Sequence, residues 1–154
     1  MDRMLPDDIH TSIQRLCGEG DSLVETQSFK NAITRFEQAL ELLPEPREKW
    51  KAATWIYTAI GDTHFHAGEF ELARQALTTA LLCPNALENP FIWLRRGEIY
   101  FELGELKHAE DSLASAYMLG GHEIFKNEDP KYAAFILPKL TQNSSLISAM
   151  SAEI

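Results

Sequence analysis

The sequence predicts an all-α protein, a stack of antiparallel helix pairs, and three observations carry this. Apolar residues recur at helical spacing along most of the 154 residues, and nothing reads as a strand. A small, small, large order recurs three times, as Gly20, Ala32 and Phe36, then Gly61, Ala73 and Leu77, then Gly97, Ala109 and Leu113. Gly and Ala let two helices approach closely while the larger residue fills the space beside them. The helical stretches are separated only by short, turn-forming segments.

The elements follow in order. Pro6, Asp7 and Asp8 make a helix start, with proline tolerated in the first turn and acids favoured by the helix dipole. Ile9, Ile13, Leu16, Leu23 and Val24 form its apolar stripe, which should end near Gln27. Ser28 can cap a second helix carrying Phe29, Ala32, Ile33, Phe36, Ala39, Leu40 and Leu43 to Pro44. The third and fourth helices are expected over about 47–67 and 69–82, the fifth and sixth over about 90–103 and 105–119. Beyond Gly121, Asp129 should cap a helix opening at Pro130 and carrying Tyr132, Phe135, Ile136 and Leu137, with Pro138 kinking or ending it.

Trp93, Gly97, Tyr100, Gly104, Ala109, Leu113 and Ala116 stand at the offsets of a known repeat signature, and the chain resembles the tetratricopeptide repeat family. Tyr57, Ile60, Gly61, Gly68, Ala73, Leu77 and Ala80 take the same slots one repeat earlier, with His64 where the later unit has Tyr100. Leu16, Gly20, Leu23, Ala32, Phe36, Ala39 and Pro44 form a more degenerate first copy, with Gln27 in the place of glycine. Arg96 departs from the pattern where the family prefers Leu. The resemblance implies an α-solenoid of three helix-turn-helix units, at about 13–44, 54–85 and 90–121, closed by a capping helix at 122–140, in a single domain over 1–140. The tail, 141–154, is short and Ser-rich and reads equally as a disordered end or as a last turn carrying Leu146, Ile147 and Met150.

Composition narrows the function. A net charge of −9 argues against a nucleic-acid partner, since phosphate binding needs clustered Lys and Arg, and favours basic proteins as partners. Cys17 and Cys83 lack metal-ligand spacing and read as free thiols in a reducing compartment. The amino terminus has no apolar run of a signal peptide and no stretch approaches about 20 apolar residues, so a cytoplasmic protein without membrane association is expected.

Catalytic chemistry finds little footing. His64 and His66 point about 200° apart on a regular helix and cannot share a metal, and Glu128 with Asp129 before Pro130 is more economically a helix start than an acid–base pair. No phosphate loop or nucleophile elbow is present, so a non-enzymatic protein without cofactor or metal is expected.

In the family the first helix of each unit lines a concave groove. Carried over residue by residue, the resemblance puts Asp21, Trp55, Thr58, Asp62, Phe65, Phe91, Leu94, Glu98 and Phe101 on that groove, together with Gln14, Cys17 and Val24. One position is acidic in all three units, as Asp21, Asp62 and Glu98, with aromatic residues around the latter two. Family members that grip a terminal carboxylate use Lys and Asn where this chain has Cys17 and Asp21, and only Arg95 fits that scheme, so an acidic peptide is not the expected ligand. The expected function is capture of a basic, partly apolar segment of a partner protein, with immunity against a secreted toxin or chaperoning of a toxin or effector as settings suggested by analogy. The alternative is a self-associating scaffold, a homo-oligomer held through the second helices or the tail.

Overall fold

The computed structural model describes residues 4–152, with side chains through residue 141. The α-helices are α1 (Asp7–Glu25), α2 (Phe29–Glu41), α3 (Lys51–His66), α4 (Phe70–Ala80), α5 (Pro90–Glu102), α6 (Leu106–Gly120) and α7 (Pro130–Ala152). Short 3-10 turns lie at Arg47–Lys49, Ala86–Glu88 and Gly121–Phe125, and the described residues contain no strand. The chain divides into two compact units, Met1–Leu87 with α1 to α4 and Glu88–Ile154 with α5 to α7.

Three helix pairs share one construction. A Cβ added to Gly20 would lie 2.6 Å from the Phe36 ring, one on Gly61 2.6 Å from Leu77, and one on Gly97 2.5 Å from Leu113. Each glycine thus marks the point where the first helix of a pair touches the second, and the large side chain opposite fills the gap. Ala32, Ala73 and Ala109 are fully buried in the same pairs. The turn inside each pair is also repeated. Gln27, Gly68 and Gly104 all adopt positive φ, at 61°, 78° and 80°. The next amide bonds back to the carbonyl five residues earlier, Ser28 to Leu23 at 2.8 Å, Glu69 to His64 at 2.9 Å and Glu105 to Tyr100 at 2.9 Å, the hydrogen bond that closes a Schellman ending. The degenerate first copy is therefore a full unit, and Gln27 takes the left-handed conformation that glycine takes in the others.

In the first unit the core runs through Ile13, Leu16, Phe36, Leu40, Ile56 and Ile60. The long connection after α2 is tied down by the Trp50 indole N–H, which donates to the Pro44 carbonyl at 2.8 Å. The α-helix that follows starts at Lys51, because 47–49 wind as a 3-10 turn rather than as its first turn. In the second unit Leu94, Leu113, Ala116, Phe125 and Ile136 form the core, so α7 closes this unit with its own apolar face. Arg96, in the slot of a family Leu, reaches across to the Ser112 hydroxyl at 3.2 Å and the Tyr100 hydroxyl at 3.1 Å, with its guanidinium 4.9 Å from the Tyr100 ring centre.

One local expectation is corrected and another narrowed. Ser28 does not cap α2: its φ and ψ of −86° and 63° belong to the turn, and its hydroxyl lies 3.3 Å from that of Thr26. Of the two outcomes expected at Pro138, an end to the helix is excluded, since α7 continues to Ala152; proline forfeits one helical hydrogen bond and the turns on either side hold the rest. Asp129 does cap, accepting the Lys131 amide at 3.0 Å. The backbone of 141–152 is helical, while the side chains of Leu146, Ile147 and Met150 lie outside the described ones. No described helix is long and apolar enough to cross a membrane.

Candidate functional site

The first helices of the repeats bring the expected groove residues to very different surroundings in the two units. In the first unit, α1, α2 and α3 line an open recess of about 160 Å³ that includes Ile13, Cys17, Asp21, Phe36, Trp55 and Ala59. A cavity of about this size elsewhere in proteins admits a benzene-sized ligand, so a single Leu, Met or Phe side chain is a suitable occupant. Trp55 is 62 % exposed although it borders this cavity, and a large aromatic surface left in water beside an apolar recess is unusual for a purely structural residue.

Carboxylates sit beside the recess. Burial raises the Asp21 carboxyl above its ordinary value, and the charges of Glu25 and Asp62 add to the rise. Asp21 thus feels the negative charge of Asp62, and a cation beside it would oppose that rise. Asp62 also lies 3.3 Å from His66 Nε2, one turn along α3. Burial and the neighbouring Asp21 push the Cys17 thiol up to about 11, so it is a neutral wall of the cavity rather than a nucleophile. Thr58 is committed to its own helix, donating to the Thr54 carbonyl at 2.6 Å. Phe65 stacks edgewise on His66 and Phe70 at 5.5 and 5.7 Å, over the turn between α3 and α4.

In the second unit the corresponding face of α5 is covered. Leu94 is buried in the core and Glu98 is 0 % exposed, so neither presents the surface expected of it. The reason is α7. Arg95, itself buried, bonds Glu98 on its own helix and Glu128 just before α7, the latter at 2.6 Å. Burial pushes the Glu98 carboxyl up to about 9, against the pull of Arg95 and with the help of Glu128, and its second oxygen has no hydrogen-bond partner among the described residues. Phe101 packs edgewise on Tyr132 and Phe135, with ring centres 5.4 and 5.3 Å away. Glu102 accepts the Tyr132 hydroxyl at 2.6 Å and pairs with Lys131 Nζ at 2.6 Å. Burial opposes ionisation of Glu102, but these two bonds together hold its carboxyl below the ordinary value, while burial and Glu102 raise the Tyr132 phenol. Phe91 remains half-buried with the Arg95 guanidinium 5.0 Å from its ring centre.

Sequence reasoning missed Arg95, Glu102, Lys131 and Tyr132 as a group. A signal exists: Leu94, Glu98, Phe101 and Glu102 lie on one helical face, and Lys131, Tyr132 and Phe135 on another, with complementary charge and aromatic content. Among the described residues no group of three His, Cys, Asp or Glu side chains is placed to hold a metal.

Comparison with known proteins accords with this build. Residues 92–119 match the family model of the tetratricopeptide repeat, and the helix pairs have the fold of that repeat. No curated protein matches the sequence. Among solved structures, the chain is similar to PcrH from Pseudomonas aeruginosa in complex with the chaperone binding region of PopB, with a TM-score of 0.65 at 18% identity, covering 88% of this chain and 100% of that one. It is similar to the Yersinia enterocolitica type III secretion chaperone SycD in complex with a peptide of the translocator YopD, with a TM-score of 0.67 at 16% identity over 86% of this chain and 95% of that one. The second TPR of Spaghetti (RPAP3), bound to the HSP90 peptide SRMEEVD, gives a TM-score of 0.61 at 14% identity over 74% and 99%. At these identities the likeness is one of fold.

Proposed function

We propose that this chain is a non-catalytic protein-binding module, and that its first unit captures a partner segment carrying a large apolar residue next to Lys or Arg. The carrying observation is the cavity beside exposed Trp55, with Asp21 and Asp62 at hand. The apolar side chain enters the recess, the Trp55 ring lies over it, and the cation sits by the two carboxylates. A secretion-chaperone setting is the one we favour. It is supported by the fold shared with PcrH and SycD, both solved with a peptide of a partner, and by the acidic charge of the chain, which suits a basic client.

The test starts with a partner isolated by affinity pull-down, whose binding kinetics are then measured on variants. Asp21→Lys with Asp62→Lys should slow association and flatten its salt dependence, since such attraction is screened within about 10 Å at 0.1 M salt. Trp55→Ala should speed dissociation, with a loss of about 2 kcal/mol for a buried anchor. A partner held by both variants as tightly as by the parent would rule out this site.

A further inference from the structure

The three repeats present the same helical face, yet its fate differs. On α3, in the second repeat, Trp55, Thr58, Asp62 and Phe65 stand at the positions that Phe91, Leu94, Glu98 and Phe101 hold on α5, and there the recess is open and Trp55 is exposed. On α5 the face is filled by the amino-terminal half of α7. The filling has the chemistry of a recognised ligand: a cation, Lys131, on Glu102; a phenol, Tyr132, on the same carboxylate; two aromatic edges on Phe101; and a carboxylate, Glu128, on buried Arg95. These are directional contacts between charged and aromatic groups, whereas helices that close a core need only apolar surface.

We infer that the α5 face is a recognition site occupied by the chain's own α7, and that it accepts in its place a partner helix with the same pattern of acid, Lys three residues on, aromatic next to it and a second aromatic three residues later. The pattern is copied from Glu128, Lys131, Tyr132 and Phe135, so the occupant in place states what the site prefers. A displacing helix must also bring an apolar side chain at the position of Ile136, because departure of α7 uncovers the core around Leu94 and Leu113. Binding is then an exchange of like for like. The apparent affinity for an added helix is lowered by the fraction of molecules in which α7 remains seated, and weakening α7 raises it. This site serves the peptide-binding function proposed above, but its test needs no natural partner.

The experiment adds a fluorescein-labelled synthetic peptide of residues 127–141 to the full-length protein and follows anisotropy. The parent is compared with the full chain carrying Tyr132→Ala and Phe135→Ala, and with the milder Lys131→Met, each checked for parental helicity by circular dichroism. The double variant should bind the peptide about tenfold more tightly than the parent, and Lys131→Met should show a smaller gain in the same direction. A peptide lacking both aromatic rings should lose that gain. Equal affinity of parent and variants, or equal binding of the altered peptide, overturns the inference; should the double variant lose helicity, Lys131→Met decides alone. Failure here with loss of partner by the Trp55→Ala variant would refute only the α7 site, and the converse only the first-unit site.

Discussion

A Cβ placed on Gly97 would lie 2.5 Å from Cγ of Leu113, so the leucine occupies the space that any side chain at position 97 would need. Gly61 with Leu77 and Gly20 with Phe36 repeat the relationship. It explains why a residue unfavourable to helices by about 1 kcal/mol stands in mid-helix three times.

The relationship predicts opposite outcomes for two glycine substitutions. Gly97→Ala should lower stability by about 1–3 kcal/mol through overpacking, despite its better helix propensity. Gly18→Ala, on α1 where an added Cβ meets nothing within 4 Å, should raise stability by about 0.5–1 kcal/mol. Urea midpoints of the two variants check both signs.

Gln27 supplies a second case. It stands at φ 61° in a turn whose counterparts are Gly68 and Gly104, and a side chain there carries a conformational cost that glycine avoids. Gln27→Gly should therefore stabilise by about 0.5–1 kcal/mol, net of the entropy glycine adds to the unfolded chain. Gly104→Gln should do the reverse in thermal melts.

Glu98 sets a pH dependence. Burial pushes its carboxyl up to about 9 from an ordinary 4.5, so between those values the folded state holds a proton that the unfolded state releases. Stability is greatest below the lower value and falls as pH rises towards the higher one. Glu98→Gln, which keeps the shape and cannot ionise, should flatten this decline between neutral and alkaline pH. Chemical denaturation of parent and variant at pH 5, 7 and 9 measures it.

Trp55 separates stability from binding. With most of its surface in water, Trp55→Ala should leave the unfolding midpoint within about 0.5 kcal/mol of the parent while weakening partner capture. A large loss of stability would make it a packing residue instead.

Particular residues show how far the sequence could be read. Helix order and pairing were legible because Gly20, Gly61 and Gly97 precede Phe36, Leu77 and Leu113 by one constant spacing, and that spacing is itself the contact. Even Gln27, chemically unlike its counterparts, was placed correctly, since its neighbours fixed the turn around it. Of the residues expected on an open groove, Glu98 is instead buried and Phe101 is packed against Tyr132 and Phe135. Local periodicity says which way a side chain leaves its helix, but α7 is distant in sequence, and its covering of that face depends on Arg95 meeting Glu128 and on Glu102 meeting Lys131. Periodicity marks the two complementary faces one helix at a time, but it does not say that they meet.

The order in which the molecule assembles follows from where its contacts lie along the chain. Each helix pair is closed by residues near in sequence, so pairs can form early and independently at little loop-closure entropy. The bonds seating α7 on α5 join residues 30 and 33 positions apart, Tyr132 to Glu102 and Arg95 to Glu128. On this account α7 is expected to dock after the pairs and to lift before them, at a free energy below that of global unfolding. Amide exchange in native conditions should show 133–137 exchanging well before 94–100, and the interval between them measures how readily the molecule uncovers that face.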